Sequence, residues 1–507
     1  MNSDKPVATF ADVLAQLNPA QREAVEQIEG PVLVIAGPGT GKTHILAARI
    51  ANILDVTDAY PSNILCLTFT DAGVLAMRQR LLRIIGPDAH KVHIFTFHAF
   101  CNKVIRENLD IFGQQDLERC SDIEQSEIIR SILLELPWEN PLKKGLYDPL
   151  FYERHLGQLF RWMKMENWTL AKIETAVSEY LASLPGKPEF VYQVNRGNIK
   201  KGSPKTAKIE EMTLRMEKLA AGARCFERYC ELLLEKKRYD YEDMIIWVLE
   251  AFQKHPWLLQ RYQEQYLYIL ADEYQDTNNA QNELLRQLVS YWDQPNIFIV
   301  GDDDQSIFEF QGARLHNFTD FYTRYRPWVK LVQLTDNYRS SQHILNAANA
   351  LISRNENRLI NRLSDQHINK QLQARHPRFA GITELPRILR FRNRFLELTW
   401  LLEEIKALLA TGISGSEIAV LFARHKQSEL LVRLLERASI PYHTRRPVNV
   451  LKEVLFLQLQ HLLQYFRMEW QEPGLGASLL YEMLHFDCWG IDRRDIMQLT
   501  LKINQVE

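Results

Sequence analysis

Two short segments of this chain carry residue types suited to nucleotide chemistry. The first is a glycine-rich turn that follows the apolar run at 31–35, with the sequence Ala36-Gly37-Pro38-Gly39-Thr40-Gly41-Lys42-Thr43. Glycines let the backbone approach phosphate oxygens, and a helix that begins at such a turn presents free N–H groups to them. Lys42 would neutralise the β- and γ-phosphates, and the Thr43 hydroxyl would ligate Mg²⁺. The turn therefore predicts an ATP–Mg²⁺ site, although Ala36 stands where the strict pattern has a glycine.

The second segment places two carboxylates, Asp272 and Glu273, directly after the apolar run at 266–271. Asp272 would hold Mg²⁺, and Glu273 would orient and deprotonate the attacking water. An acidic strand end by itself is most often a solvated edge. Because this one follows a phosphate-binding turn in the same chain, we interpret the pair as catalytic.

Both segments need a common scaffold, because they must reach one phosphate–magnesium site at the ends of strands in one sheet. Short apolar runs bounded by turn residues predict the strands, at 31–36, 63–69, 91–97, 266–271 and 296–300. Helical stretches lie between these runs. The alternation indicates an α/β fold with a parallel sheet covered by helices.

Helical periodicity replaces the strand signal between about 98 and 240. Apolar stripes and one capping box, Ser121-x-x-Glu124, predict helices at 121–136, 170–184 and 209–233. Lys42 and Asp272 are about 230 residues apart, yet they are expected in one sheet. We therefore expect the helical stretch to be a domain inserted into the first α/β domain.

The composition fits an ordinary globular protein. Lys and Arg number 61 against 63 Asp and Glu, so the net charge of −2 gives no hint of nucleic acid and any DNA contact must be local. The six cysteines form no C-x-x-C pair, which excludes zinc and iron–sulfur sites of the usual spacing. No basic-then-apolar N-terminal segment and no run of about 18 apolar residues is present, so we expect a soluble cytoplasmic protein without membrane contact.

Two later segments extend the set of motifs in order, Gly301-Asp302-Asp303-Asp304-Gln305 and Asp336-Asn337-Tyr338-Arg339-Ser340. With these four motifs the chain resembles the superfamily 1 DNA helicases of the UvrD/Rep/PcrA family, well over about 10–345 and loosely over 346–466. The resemblance implies that Gln21 reads adenine and that Gln305 couples the γ-phosphate to the DNA site. It also implies that Tyr338 stacks on adenine and that Arg339 reaches the γ-phosphate. The residues expected to be catalytic are then Lys42, Asp272, Glu273, Gln305 and Arg339.

The resemblance also indicates a face for single-stranded DNA and for junctions of single and double strands. Thr68 with Phe69, and Thr96 with Phe97 and His98, resemble the two strand-contacting segments of the family. Phe308 and Phe310 stand at i and i+2, a spacing that ordinarily marks a buried strand face. Beside Gln305 we interpret them as rings that stack on bases.

The resemblance implies RecA-like motor domains. The predicted first motor domain comprises 1–100 and 238–330, with a helical insertion at 101–237. A second α/β pattern, with strand candidates at 385–391 and 418–422 and a long helix at about 452–466, predicts a partial second RecA-like domain at 331–466. Residues 467–507 are expected to start a second helical insertion.

Three features depart from the family pattern. His44 and Gln311 stand where relatives carry arginine, and nothing after Ser340 resembles the late lysine–glycine and arginine-bearing motifs. A partner that supplies the late motifs would explain their absence. We favour the alternative, a fragment of a longer gene product.

Three functions remain open from the sequence. The first is an ATP-dependent DNA translocase and helicase in repair or replication, whose 3′-to-5′ polarity is implied by the resemblance alone. The second is a module that binds ATP and single strand without converting turnover into motion. The third is the motor part of a helicase–nuclease assembly, with repair partners that the sequence does not identify.

Overall fold

The computed structural model describes residues 10–113, 117–143, 148–195, 200–307, 314, 316–363, 368–444 and 450–503. The chain divides into two compact units, one that ends at Pro386 and one that begins at Arg387. The nucleotide motifs found in the sequence all belong to the first unit.

Parallel strands form the centre of the first unit. The strands are β1 (Val32–Ala36), β2 (Ile64–Thr68), β3 (His93–Thr96), β4 (Glu118–Arg119), β5 (Arg238–Tyr239), β6 (Tyr268–Ala271), β7 (Ile297–Gly301), β8 (Lys330–Leu334), β9 (Asp336–Asn337) and β10 (Gln373–Ala374). Six of them make one sheet in the order β3-β2-β6-β7-β1-β8, in which every neighbouring pair is parallel. The predicted parallel α/β fold is confirmed, and the five predicted runs form β1, β2, β3, β6 and β7.

Helices cover both faces of this sheet. Those of the first unit are α1 (Phe10–Gln16), α2 (Pro19–Glu26), α3 (Lys42–Val56), α4 (Asp71–Ile85), α5 (Phe97–Glu107), α6 (Leu109–Phe112), α7 (Asp122–Glu135), α8 (Glu153–Met165), α9 (Leu170–Ser183), α10 (Thr206–Glu235), α11 (Asp243–Lys254), α12 (Pro256–Gln265), α13 (Asn279–Leu288), α14 (His316–Tyr325), α15 (Gln342–Ile352), α16 (Leu359–Arg362) and α17 (Pro377–Ala380). One core joins Val34 of β1 to α3 and α4, and the other joins Leu33 to α5, α11 and α13. Because both of their faces are covered, the inner strands β1, β2, β6 and β7 are buried at every position, whereas the edge strands β3 and β8 alternate between buried and partly exposed residues.

The helical insertion has its own core. Its two ends meet where β4 pairs with β5, and α7, α8 and α10 bury residues that include Ile128, Phe160 and Tyr229. The capping box that the sequence predicts is present, since the Glu124 carboxylate accepts from the Ser121 N–H at 2.9 Å and the Ser121 hydroxyl accepts from the Glu124 N–H. Helix α5 packs instead against the central sheet. The insertion limits 101–237 stay a prediction.

The second unit is helical where it is described. It contains α18 (Arg394–Ala410), α19 (Glu429–Arg437), α20 (Val454–Gln471), α21 (Ala477–Leu484) and α22 (Arg493–Ile503), and α18 and α19 share a small apolar core. The long helix expected at 452–466 corresponds to α20. The strands expected at 385–391 and 418–422 are wrong, because the backbone of both segments is described and forms no strand. Ile388 and Leu421 are 90% and 94% exposed, so neither run is buried in a sheet.

Across the described ranges, no helix combines the length and the apolar character needed to cross a membrane.

Candidate nucleotide site and nucleic-acid face

The glycine-rich turn joins β1 to α3 at one edge of the central sheet. Gly39 and Gly41 have φ angles of 71° and 92°, a region that favours glycine, and α3 begins directly after them at Lys42. The Thr40 hydroxyl donates to the Gly37 carbonyl at 2.8 Å, which closes the turn on itself. The free N–H groups of the α3 N-terminus therefore lie at the turn, as a phosphate site requires.

The two predicted catalytic segments meet at this edge. The Lys42 Nζ atom lies 2.7 Å from Oε2 of Glu273, which follows β6 and Asp272. Glu273 has a left-handed backbone with φ of 48°, an uncommon conformation for a residue with a side chain. The Gln275 side chain also donates to Glu273, at 2.8 Å. The structure thus brings the expected phosphate-binding cation and the candidate base together across about 230 residues of sequence.

Asp272 is the second carboxylate, and its surroundings fit a magnesium ion. Burial and, to a smaller extent, the charge of Glu273 raise the pKa of Asp272 to about 7, against the opposing effect of Lys42. A buried carboxylate without a full counter-charge is suited to a divalent cation. Thr43 offers a hydroxyl in the first turn of α3. In the part of the chain that is described, no three His, Cys, Asp or Glu side chains cluster to hold a metal by themselves, so phosphate and water would complete the coordination.

Asn337 holds the later Tyr338-Arg339 motif against the glycine-rich turn. Its side-chain amide donates to the Pro38 carbonyl, and its Oδ1 accepts from the backbone N–H groups of Arg339 and Ser340 at 2.8 Å each. The Tyr338 N–H donates to the Gly39 carbonyl at 2.9 Å. A Cβ atom on Gly39 would lie 2.7 Å from that of Arg339, so only glycine fits this contact. The Arg339 side chain is exposed at this edge.

Gln21, the residue expected to read adenine, also lies at the turn. Its amide donates to the Thr40 carbonyl at 2.9 Å and accepts from the Asn18 N–H at 3.2 Å. The Asn18 side chain in turn donates to the Tyr338 hydroxyl at 3.1 Å. Because both the NH₂ group and the oxygen of the Gln21 amide bond protein groups, a base must displace one of these contacts. Its adenine contact stays a prediction.

A short relay of side chains connects the base to the candidate coupling residue. Gln275, which donates to Glu273, accepts at its Oε1 from the Asp302 N–H at 2.9 Å. The Asp302 carboxylate accepts from the Gln305 amide at 2.7 Å. The sequence pattern places Gln305 in this region but does not identify Gln275 or Asp302 as its links. Asp302 stands within the motif at 301–305 and Gln275 lies two residues after Glu273, but neither position indicates this contact.

The expected DNA-contacting residues lie along an adjacent part of the same sheet edge. Thr68 ends β2, Phe69 is half-buried, and Thr96 caps α5 by accepting from the Ala99 N–H. Phe97 is 1% exposed within the core, so its ring is packed inside the protein. These DNA contacts stay predictions. Phe308, Phe310 and Gln311 fall outside the described residues.

His98 forms an aromatic stack that the sequence does not predict. Its ring lies 3.9 Å from that of Tyr241, with an angle of 23° between the planes, and the Arg119 guanidinium lies 4.9 Å from the Tyr241 ring. Burial, together with the charges of Arg119 and Arg161, lowers the pKa of His98 to about 4, so the imidazole is neutral at pH 7. Among the described residues His98 Nε2 has no hydrogen-bond partner, although it is buried. Tyr241 is 38% exposed and presents an aromatic surface beside it.

Comparison with known proteins agrees with this arrangement. Residues 17–326 match the UvrD/REP helicase N-terminal domain, and residues 332–469 match the UvrD-like helicase C-terminal domain. ATP-dependent DNA helicase PcrA of Bacillus subtilis is 30% identical over 433 residues, which cover 85% of this chain and 50% of that protein. The protein of the same name from Staphylococcus epidermidis is 28% identical over 432 residues, covering 85% and 51%. The chain spans about half the length of the curated relatives it matches.

Since the first family match alone covers more than half of the sequence and contains the turn, the carboxylate pair and Gln305, this chain belongs to the UvrD/Rep helicase family.

Proposed function

We propose that this chain is the ATP-hydrolysing part of a DNA helicase that moves along single-stranded DNA. The observation that carries the proposal is the contact between Lys42 and Glu273 at the turn that also receives Tyr338 and Arg339. A cation for phosphate, a base for water and an arginine within one site are the parts that phosphoryl transfer to water requires. The relatives are named ATP-dependent DNA helicase PcrA, which agrees with this reaction.

ATP entry would separate the Lys42–Glu273 ion pair. The Lys42 and Glu273 side chains are 10% and 39% exposed, so the ion pair is partly open to solvent and is worth on the order of 1 kcal/mol. Each hydrogen bond to a charged phosphate is worth about 1.5–3 kcal/mol, and the turn offers several donors. We therefore expect the phosphate to replace Glu273 as the partner of Lys42. The Glu273 carboxylate is then free to accept a proton from water. Mg²⁺, held by Thr43 and Asp272, would neutralise charge on the phosphates when it is bound.

The Glu273–Gln275–Asp302–Gln305 relay would connect hydrolysis to the nucleic acid. A change at Glu273 alters what Gln275 bonds, and Gln275 bonds the strand end that carries Asp302. Gln305 is the next side chain in the relay. On the nucleotide side, Arg339 would stabilise charge on the γ-phosphate and Tyr338 would stack on adenine.

Finer features of the function follow from the resemblance. We propose 3′-to-5′ movement, action at junctions of single and double strands, and a role in repair or replication in the cytoplasm. Helicase–nuclease partnership is a second candidate that no observed contact favours.

The test is ATP hydrolysis by the purified chain with and without single-stranded DNA. We expect turnover that needs Mg²⁺, that rises with DNA and that is lost in Lys42→Ala. Lys91→Ala is the matched control, because Lys91 pairs only with exposed Asp88. If the chain binds ATP and DNA but neither variant nor wild type hydrolyses ATP, the protein is a binding module and the proposal is wrong.

A further inference from the structure

Three consecutive aspartates follow β7, and one lysine reaches all of them. Lys370 Nζ lies 3.3 Å from Asp302 and 3.1 Å from Asp304, and it forms its shortest contact with Asp303. The Lys370 side chain is 8% exposed, and those of Asp302 and Asp303 are 4% and 1% exposed. Burying charges in this way is unfavourable unless they are paired, so the lysine stabilises the carboxylates in their buried position.

Two further contacts fix the same aspartates. Arg358 makes a bidentate pair with Asp304, with Nε at 2.8 Å and Nη2 at 2.6 Å. The Leu359 N–H donates to Asp303 at 2.7 Å. Bidentate arginine pairs set orientation as well as charge. Asp304 therefore has a second cationic partner and Asp303 has a backbone donor besides Lys370, whereas Lys370 is the cation that contacts the Asp302 carboxylate.

Asp302 is the aspartate that contacts the relay. Its carboxylate accepts from Gln305 through Oδ2, while Oδ1 faces Lys370. Lys370 and Gln305 therefore contact different oxygen atoms of the same carboxylate, that of Asp302. Movement of Lys370 would change the position of Asp302 and, with it, the orientation of the Gln305 amide.

The segment 369–375 carries Lys370 across the nucleotide site. Leu372 packs on the glycine-rich turn, where a Cβ atom on Gly37 would lie 2.8 Å from its side chain. The Arg375 N–H donates to the Asn337 carbonyl at 2.8 Å, and β10 pairs with β9. One short segment therefore contacts the turn, the strand before Tyr338-Arg339, and the three aspartates.

We propose that Lys370 is a positioning residue for ATP hydrolysis, which holds Gln305 in place through Asp302. The inference rests on the proposed function. Lys370 touches neither nucleotide nor DNA in this account. It fixes the carboxylate to which Gln305 is bound, and the segment that carries it makes this position sensitive to the state of the turn and of β9.

The experiment is a double-mutant cycle on DNA-stimulated ATP hydrolysis. Lys370→Met and Gln305→Ala should each lower kcat by about 10- to 100-fold, the usual effect of misplacing a reacting geometry by about 1 Å. The KM for ATP should change by less than about twofold, because the phosphate contacts remain. The combined variant should be no worse than either single variant, since both remove one coupled function. Lys330→Met is the matched control, because Lys330 pairs with half-exposed Glu23 outside the cluster.

Melting temperature separates positioning from stability. Lys370→Met leaves buried carboxylates without their cation and should melt at a lower temperature. Asp303→Asn combined with Lys370→Met removes one charge of each sign and should recover most of that temperature while kcat stays low. Recovery of kcat together with stability would overturn the proposal, as would additive losses in the cycle. If the wild-type chain did not hydrolyse ATP, the proposed function itself would be refuted, and no comparison of variants would be needed to show it.

Discussion

The Nζ atom of Lys42 lies 2.7 Å from Oε2 of Glu273, so the phosphate-binding cation and the candidate base neutralise each other in this structure. In this pairing the Glu273 carboxylate is bound to Lys42, the residue that the phosphates of ATP would bind. The same Oε2 also accepts from Gln275, which leads to Asp302. Nucleotide entry and the state of the relay therefore depend on a single carboxylate oxygen.

Asn337→Ala should weaken both folding and ATP use. The residue is 1% exposed and bonds the turn on one side and Arg339 and Ser340 on the other. Loss of these bonds leaves partly buried backbone groups without their partner, which costs about 1 kcal/mol or more. We expect a higher KM for ATP together with a lower free energy of unfolding in urea. Asn355→Ala is the control, because the Asn355 side chain is exposed and accepts from the exposed Asn357 N–H. An unchanged KM would show that Asn337 does not position the nucleotide site.

Tyr241→Ala should weaken binding of single-stranded DNA. The Tyr241 ring stacks on His98, beside the segment expected to contact the strand. One aromatic–base stack is worth roughly 1–3 kcal/mol, and Tyr241→Phe should keep most of it. Fluorescence anisotropy with a labelled oligonucleotide measures the change. If affinity is retained while the melting temperature falls, the ring is a packing group only.

Lys164→Met should destabilise the junction between the helical insertion and the central domain. The Lys164 side chain is 1% exposed, with Nζ 2.6 Å from Asp240 and 2.7 Å from Asp243. Burial lowers the pKa of Lys164, but the charges of Asp243 and Asp240 outweigh burial and raise it to about 12. Breaking a buried pair of this kind costs about 3–5 kcal/mol. Chemical denaturation should report that loss at pH 7.

The same variant has a defined pH dependence. Burial already raises the pKa of Asp243, and removal of Lys164 would raise it further. A folded carboxyl with a raised pKa binds protons that the unfolded chain releases, so lowering the pH favours the folded state. The difference in the free energy of unfolding between Lys164→Met and wild type should therefore become smaller as the pH falls from 7 towards 5. A constant gap would show that the loss comes from packing alone.

The sequence predicted the elements that local patterns specify. Apolar runs predicted β1 and β6 because parallel strands buried on both faces need continuous apolar residues, and the box at Ser121 predicted the start of α7. The expected strands near Ile388 and Leu421 failed, because an apolar run makes a strand only where neighbouring strands provide hydrogen bonds and cover.

For the candidate site, too, the sequence predicted some residues and missed others. Lys42 and Glu273 stand in patterns that can be read locally, and the structure brings them into contact. Asn337, Tyr241 and Lys370 were missed because their roles arise from contacts with residues far away in the sequence. Lys370, for example, meets Asp302 across 68 positions, and no spacing rule indicates such a pair.

Glu273→Gln tests the central claim most directly. The amide keeps the shape of the side chain but cannot accept the proton from water, so hydrolysis should fall by about 10²–10⁴-fold. ATP binding should persist, because Lys42, Thr43 and Asp272 are unchanged. The measurement is single-turnover hydrolysis of ATP beside equilibrium ATP binding, both with single-stranded DNA present. Intact binding with hydrolysis lost is the predicted result, and hydrolysis at the wild-type rate would contradict the account.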